Sequence, residues 1–370
     1  MRKKIVVFSG VNFTEGGPLS IIKDATAKFL QLYAQEFHLI LLVHKSELFK
    51  EHLSNQNITI LEYPRVKGSY LLRLYFEWIK CLSISKKYSP YLWFALHDIT
   101  PNVRSEKRAV YCHNPAPFFK ITKHQALMDK TFFLHHILYK FFYRVNIKRN
   151  HFVVVQQLWM KKAFEKNYHI NNVIVAHPNF KILESSRHER NATFPNQIFT
   201  FFYPAFPRVF KNFEVIFKAI AILNEDNPSF QIVITLNGEE NAYSSYLKKT
   251  YGHISQVKFI GVQTRSAVLN LMQNCDCVLF PSKLETWGLP LTEAKYFSKP
   301  VIASDLPYAY ETLEGYDKVS FFPPDDFFML AKKMREIMLG RLLFSKSKMQ
   351  KDGCLHLDSW EALFKFILKY

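Results

Sequence analysis

Two carboxylates, Glu285 and Glu293, stand eight positions apart on either side of Gly288-Leu289-Pro290, directly after the apolar run Val278-Leu279-Phe280. An apolar run, a Gly/Pro turn and a renewed helical pattern predict a strand, a loop and a helix start. A carboxylate accepts hydrogen bonds from two neighbouring hydroxyls at once, which suits a sugar or a ribose. Gly288 lets the backbone approach a ligand, and Pro290 fits a first helical turn whose free N–H groups can hold a phosphate. The parts describe a pocket for a nucleotide sugar, with Thr286, Gly288 and Leu289 lining it between the two acids. The plainer alternative is one helix-capping acid and one solvated acid.

Breaking a sugar–diphosphate bond builds negative charge on the leaving phosphate, so such a site needs fixed positive charge. Arg208 and Lys211 follow the strand-like run Phe199 to Tyr203 and are either such charges or solvated charges of a loop. Gly238, in Asn237-Gly238-Glu239-Glu240 after another run, either borders the nucleotide or sits in a capping turn. Near the amino terminus, Gly16-Gly17 follow the first run and allow close backbone approach, or form a plain turn. His113 ends the run Ala109 to Tyr111, and His97-Asp98 end the one before it. A lone histidine at either place has an ordinary structural explanation as well as a functional one.

Glu285 and Glu293, with the flanking Phe280-Pro281-Ser282, Gly288-Leu289-Pro290, Glu293-Ala294 and Pro300-Val301-Ile302-Ala303, resemble the signature of retaining GT-B glycosyltransferases of family 4, the glycosyl transferases group 1. The resemblance implies that Glu285 contacts the donor sugar, Glu293 holds the ribose hydroxyls, and Lys211 binds the diphosphate. Arg208 departs from the pattern: it stands three positions before Lys211 rather than five, and Phe206 occupies the expected place. Gly16 and Gly17 match the family loop that approaches the donor phosphate or the acceptor. His113 matches a histidine that contacts the donor sugar or the acceptor, with His97 as its competitor. Neither glutamate has to be a nucleophile, because retention in this family is attributed to front-face attack with the leaving phosphate as base. No cofactor is implied beyond the nucleotide-diphosphate sugar itself.

These residues need a frame that presents several strand ends together. Strand-like runs at Ile5 to Phe8, His38 to Val43, Ile58 to Tyr63, Tyr91 to Leu96, Ala109 to Tyr111, Phe152 to Val155 and Val173 to Val175 alternate with helical patterns. A second series follows at Phe199 to Tyr203, Phe230 to Leu236, Val257 to Ile260, Val278 to Phe280, Val301 to Ala303 and Val319 to Phe322. Alternation of this kind predicts parallel sheets covered by helices, and 370 residues exceed what one core usually serves. The expected fold is α/β, with two doubly wound Rossmann-like domains facing across a cleft as in GT-B enzymes. Residues 1–178 are assigned to acceptor binding and 179–355 to the nucleotide sugar, with the polar stretch Asn179 to Asn196 as linker. The apolar helix of 356–370 is expected to cross back onto the first domain. Asp325-Asp326 reads as a helix cap rather than a metal site.

The charge is uneven. Residues 1–180 carry 26 Lys and Arg against 11 Asp and Glu, and residues 181–370 carry 23 against 20. A basic first half attracts polyanions. In Lys120 to Asn150 basic residues alternate with Phe132, Phe133, Leu134, Ile137, Leu138, Phe141 and Phe142, a mixture suited to an anionic membrane surface. No run reaches the roughly 18 apolar residues of a membrane span, so the expectation is a cytoplasmic enzyme, peripheral on the inner face of the cytoplasmic membrane. Its partners would be a nucleotide sugar and a glycan or lipid-linked acceptor in cell-surface polysaccharide synthesis, such as lipopolysaccharide or capsule. The five scattered cysteines read as buried reduced thiols, and metal independence is expected. Two alternatives stand beside this: a nucleotide-sugar epimerase of the same fold, and a basic nucleic-acid-binding protein, for which no reader motif is found. A dinucleotide-dependent dehydrogenase is disfavoured because Gly10 and Gly16-Gly17 do not form Gly-x-Gly-x-x-Gly.

Overall fold

The computed structural model describes residues 3–177, 198–223, 229–348 and 353–370. The chain divides into two compact units. The first comprises Met1–Pro117, Ile137–Phe180 and Gly353–Tyr370, and the second Phe118–His136 and Lys181–Asp352. The polar stretch read as a linker lies outside the described residues.

In the first unit the strands are β1 (Lys4–Ser9), β2 (Phe37–Val43), β3 (Ile58–Glu62), β4 (Leu92–Ala95), β5 (Lys107–Cys112), β6 (Phe152–Val155) and β7 (Val173–Ala176). A two-residue strand near the carboxyl terminus, here β14 (His356–Leu357), joins them to give the order β14-β7-β6-β5-β4-β1-β2-β3. Every pairing is parallel. Parallel strands are covered on both faces, so they read as continuous apolar runs, and β4, β6 and β7 are buried throughout. The helix Trp360–Lys369 completes the core. Phe364 stacks on Phe8 at 5.6 Å and meets Phe29 edge-on at 5.3 Å, while Trp360 lies 5.8 Å from Tyr111. Its last carbonyls are held by Tyr91 Oη at 2.9 Å and Lys107 Nζ at 2.7 Å, both donating to Leu368. These donors satisfy carbonyls that have no partner within the helix.

In the second unit β8 (Phe199–Tyr203), β9 (Phe230–Ile234), β10 (Val257–Phe259), β11 (Cys277–Phe280), β12 (Val301–Ser304) and β13 (Val319–Phe322) form a parallel sheet in the order β10-β9-β8-β11-β12-β13. The helix Phe213–Leu223 buries Phe213, Val215, Ile216, Phe217, Ala219, Ile220 and Leu223. Asp326 caps the helix Phe327–Met338 by accepting from Met329 N at 2.8 Å. The five cysteines are all free, and four of them are buried.

Both sheets reverse direction once. In the first unit the chain runs β1-β2-β3 to one side and resumes at β4 on the other side of β1. In the second it runs β8-β9-β10 and resumes at β11 on the other side of β8. Connections diverge at these two points, leaving a crevice beyond the carboxyl ends of β1 and β4 and another beyond those of β8 and β11. Open parallel sheets bind their ligands in such crevices.

Candidate active site

At the second unit's reversal point the loop after β8 meets the loop after β11. Lys211 Nζ donates to Glu285 Oε1, and both side chains are largely buried. The contact depends on a small polar frame. Tyr203 Oη, at the end of β8, donates to the Lys211 carbonyl at 2.8 Å and meets Ser282 Oγ at 3.0 Å. Asn212 takes a left-handed φ of 59° and sends Nδ2 to the carbonyls of Pro281 and Pro324 at 3.1 and 2.8 Å. Lys283 N donates to the Phe210 carbonyl at 2.8 Å. Burial pushes the Tyr203 hydroxyl well above its usual range, so it remains a neutral donor.

The second acid is held differently. Gly288 has φ +77° and turns the chain into the helix Leu289–Tyr296. A side chain at Gly288 would be strained there, because L residues rarely adopt this conformation. One turn into the helix, Glu293 is fully buried. Its Oε1 accepts from Arg265, the first residue of the helix Arg265–Asn274, and its Oε2 has no hydrogen-bond partner among the described residues. Burial raises the Glu293 carboxyl above its usual range, against the opposing pull of the Arg265 guanidinium. A buried carboxylate oxygen left unpaired is costly, and a pair of ligand hydroxyls would satisfy it. Thr286 and Gly288 lie on the loop between the two acids, Leu289 opens the helix, and Trp287 Nε1 reaches forward to Thr292 Oγ1 at 2.9 Å.

Arg208 has a different acid as its partner. Its guanidinium donates to Asp129 Oδ1 at 2.9 Å. The segment Phe118–His136 is further fastened to this unit by Phe132 against Phe210 at 4.8 Å. Gly238, at φ +103°, lies in a turn closed on itself. Glu240 accepts from Asn237 N at 2.7 Å and Gly238 N at 3.1 Å, and these bonds outweigh its partial burial to hold its carboxyl below the usual range. A turn closed in this way is present at Gly238 whether or not it borders a nucleotide.

The first unit has its own site at the β1/β4 reversal point. A cavity of about 310 Å³ is walled by residues that include Asn12, Arg73, His97, Asp98, His113 and Asn114. Asp98, held at φ +73°, organises one side of it. Its Oδ1 accepts from His113 N at 2.7 Å, Asn114 N at 2.9 Å and Tyr143 Oη at 2.7 Å, and its Oδ2 lies 3.5 Å from His113 Nε2. His113 Nδ1 has no hydrogen-bond partner among the described residues. With the proton on Nε2 toward Asp98, the buried Nδ1 carries the lone pair. His97 is more deeply enclosed, between Ser9 Oγ at 2.9 Å and Arg73 Nη2 at 3.0 Å. Burial, with Arg73 and His113 nearby, keeps its imidazole well below the usual range and therefore neutral. Gly16 and Gly17 open the helix Gly16–Tyr33 after the loop that carries Asn12 and Phe13. A Cβ at Gly17 would meet nothing within 4 Å, so open space lies beside this helix start.

Arg73, Glu77, Asn12, Asp129 and Arg265 belong to these arrangements and were not anticipated as members, whereas Asp98 had been named only as the neighbour of His97. A faint signal existed for one pair: Arg73 and Glu77 are charges four apart in the run Tyr70 to Ile79, which is otherwise apolar.

The second unit also carries a family resemblance. Residues 184–352 match the family described as Glycosyl transferases group 1. A protein of Bacillus subtilis, described as the uncharacterized glycosyltransferase YqgM, is 25% identical over 145 residues, a stretch covering 38% of each chain. The matched stretch is therefore well under half of that protein. Among solved structures, Anabaena HepE in complex with UDP-glucose aligns over 90% of this chain and 89% of its own, at 16% identity and a TM-score of 0.56. The lipopolysaccharide outer core galactosyltransferase WaaB in its apo form aligns over 94% and 92%, at 14% identity and a TM-score of 0.60. The structural likenesses establish the fold as two parallel-sheet α/β domains of the GT-B kind, and residues 184–352 are similar to the Glycosyl transferases group 1 family.

Proposed function

We propose that this protein is a retaining glycosyltransferase that moves a sugar from a nucleotide-diphosphate sugar to a glycan or lipid-linked acceptor in cell-surface polysaccharide synthesis. The observation that carries the reading is the pairing of Lys211 with Glu285 at the β8/β11 reversal point, with the buried and half-satisfied Glu293 carboxylate on the helix that follows the same loop. Glu293 receives the ribose hydroxyls, and the turn from Thr286 to Leu289 offers its backbone to the sugar and diphosphate. Lys211 stabilises the charge that grows on the leaving phosphate. Glu285 holds Lys211 in place and contacts the donor sugar. Asp129 engages Arg208, which leaves Lys211 as the principal cation at the diphosphate. In the first unit His113 contacts the donor sugar or the acceptor. The likeness to a structure solved with UDP-glucose supports a nucleotide-sugar donor, and the comparisons favour neither the epimerase nor the nucleic-acid reading.

The reading extends to a membrane surface. Leu71, Tyr75 and Ile79, on consecutive turns of one helical stretch, are more than half exposed, and Ile137 and Phe141 are about half exposed. Trp78 meets Phe141 at 6.4 Å, so the two helical segments lie side by side. Lys80, Lys140 and Arg144 are exposed among them. Apolar side chains interspersed with cations fit the interface of an anionic bilayer. Among the described residues no helix is long and apolar enough to cross a membrane. The enzyme would work as a peripheral protein on the cytoplasmic face.

The test is incubation with nucleotide sugars and simple glycan acceptors, followed by NMR of the anomeric proton. The reading expects transfer with the donor's anomeric configuration kept, undiminished by EDTA. Inverted product, or interconversion of the nucleotide sugar with no acceptor present, would overturn it.

A further inference from the structure

Glu293 is fully buried, and the charge that reaches it comes from another helix. Arg265 opens the helix Arg265–Asn274 and its Nη1 donates to Glu293 Oε1, while Oε2 has no hydrogen-bond partner among the described residues. The arginine is fixed at its base. Thr264 caps the helix by accepting from Ala267 N at 3.3 Å, and Gln263 Nε2 anchors the preceding turn on the Ile260 carbonyl at 2.7 Å. The Arg265 side chain itself is 50% exposed, so it reaches from solvent to the buried acid. The neighbouring titratable groups do not share this task. Glu285 is paired with Lys211, and Lys295, on the same helix as Glu293, donates to the Glu314 carbonyl at 2.6 Å. On the helix Pro307–Thr312, which also carries Glu311, burial keeps the Tyr308 and Tyr310 hydroxyls neutral, donating to the Ser282 carbonyl and to Asp305. The charge that opposes the effect of burial on Glu293 is that of Arg265.

A carboxylate buried alone is costly and takes up a proton instead. The protonated form gives up acceptor capacity and the extra strength of a charged acceptor, both of which a pair of ribose hydroxyls would use. The grip on Oε1 also settles which oxygen is left for a ligand. Resting on the reading of Glu293 as the ribose acceptor, we propose that Arg265 is a positioning residue for the nucleotide: by holding Oε1 it keeps Glu293 a carboxylate and leaves Oε2 to the ribose hydroxyls. Removing the cation lets burial raise the Glu293 carboxyl further. The ligand prefers the ionised form, so affinity is lost as pH falls, and without Arg265 it is lost at a higher pH.

The experiment is calorimetric titration of the full chain with UDP, GDP and ADP from about pH 5.5 to about 9, in the wild type, Arg265→Gln, Arg265→Lys and Glu293→Gln. Titration of the phosphate is common to all four proteins and cancels in their ratios. An adjacent opposite charge moves a carboxyl by about one to three units. For the best-bound nucleotide, Arg265→Gln should therefore bind roughly tenfold more weakly than the wild type at about pH 6 and approach it at about pH 9. Arg265→Lys keeps the charge and should restore most of the wild-type profile. A loss in Arg265→Gln that is the same at every pH, an identical loss in Arg265→Lys, or tighter binding without the arginine would overturn the proposal, the last by showing that Arg265 occupies the place of the ribose. Should Arg265→Gln fail to fold, the protons released on binding at about pH 7 decide, taken as wild type less Glu293→Gln. A difference near zero is expected, and about one proton would show Glu293 protonated before binding and overturn the proposal. Nucleotide binding that depends on Glu293 but not on Arg265 would sink this inference and leave the donor site standing, whereas binding indifferent to Glu293 would sink both.

Discussion

Lys211 and Glu285 come from different loops, and each would be costly to bury alone. Paired, they place a positive charge at the mouth of the second unit's sheet without leaving an uncompensated ion. If Lys211 acts chiefly on the charge of the leaving phosphate, its removal should affect turnover far more than ground-state binding. Lys211→Ala is expected to lower single-turnover rates by about 10²–10³-fold, the usual effect of losing a preorganised electrostatic group, while nucleotide-sugar affinity falls by less than ten. Equal losses in rate and affinity, measured by rapid quench and calorimetry, would reduce Lys211 to a positioning role. The spacing of Glu285, Gly288 and Glu293 was readable because chemistry of this kind needs those types at a turn. Their partners were less readable. Arg265 and Asp129 act through tertiary proximity, 28 and 79 positions from Glu293 and Arg208, and no local pattern announces them.

The strands were legible for a physical reason. Parallel strands covered on both faces become short β-branched and aromatic runs, and thirteen such runs correspond to β1 through β13 within a few residues. The strand β14 escaped notice because two residues carry no periodicity. The basic and apolar segment Lys120 to Asn150 is divided at Asp129 into the helices Lys123–Met128 and Lys130–Phe142. Part of its apolar surface is core, since Phe132, Tyr139 and Phe142 are buried. The helical stretch Tyr70–Tyr88 widens to a π-helical turn at Phe76–Lys80, and such turns often accompany functional sites. This turn carries Glu77, whose carboxyl is raised to about 8 by burial. An unfolded glutamate releases its proton near about pH 4.3, whereas the folded protein keeps it until about 8. Between those values the folded state binds more protons, so stability falls as pH rises. Urea titrations at about pH 5.5 and 8 should show this loss, and Glu77→Gln should flatten it. A variant with the wild-type slope would remove Glu77 as its source.

Taken whole, the chain repeats one solution. Each unit is a parallel sheet with a single reversal, and each reversal gathers polar side chains from neighbouring strand ends. The first half carries nearly all the excess positive charge, 26 basic against 11 acidic residues, together with the exposed apolar stripe of Leu71, Tyr75, Ile79, Ile137 and Phe141. The purified protein should therefore sediment with anionic liposomes at low salt, and a double change of Tyr75 and Ile79 to Ser should cut the bound fraction severalfold while leaving nucleotide affinity intact. Absence of the wild type from the liposome pellet would dismiss the membrane surface.

The central claim is that the second unit binds a nucleoside diphosphate through Glu293. Thermal melts of wild type and Glu293→Gln with UDP, GDP, ADP and CMP test it most directly. Without ligand, Glu293→Gln should melt at or above the wild type, since it removes a buried carboxyl that is costly to ionise. One diphosphate should raise the wild-type Tm selectively, because a ligand that binds only the folded state stabilises it by mass action. That shift should shrink sharply in the variant, reflecting loss of about 1.5–3 kcal/mol of charge-assisted hydrogen bonding. A wild type that no nucleotide stabilises, or an equal shift in both proteins, would contradict the account.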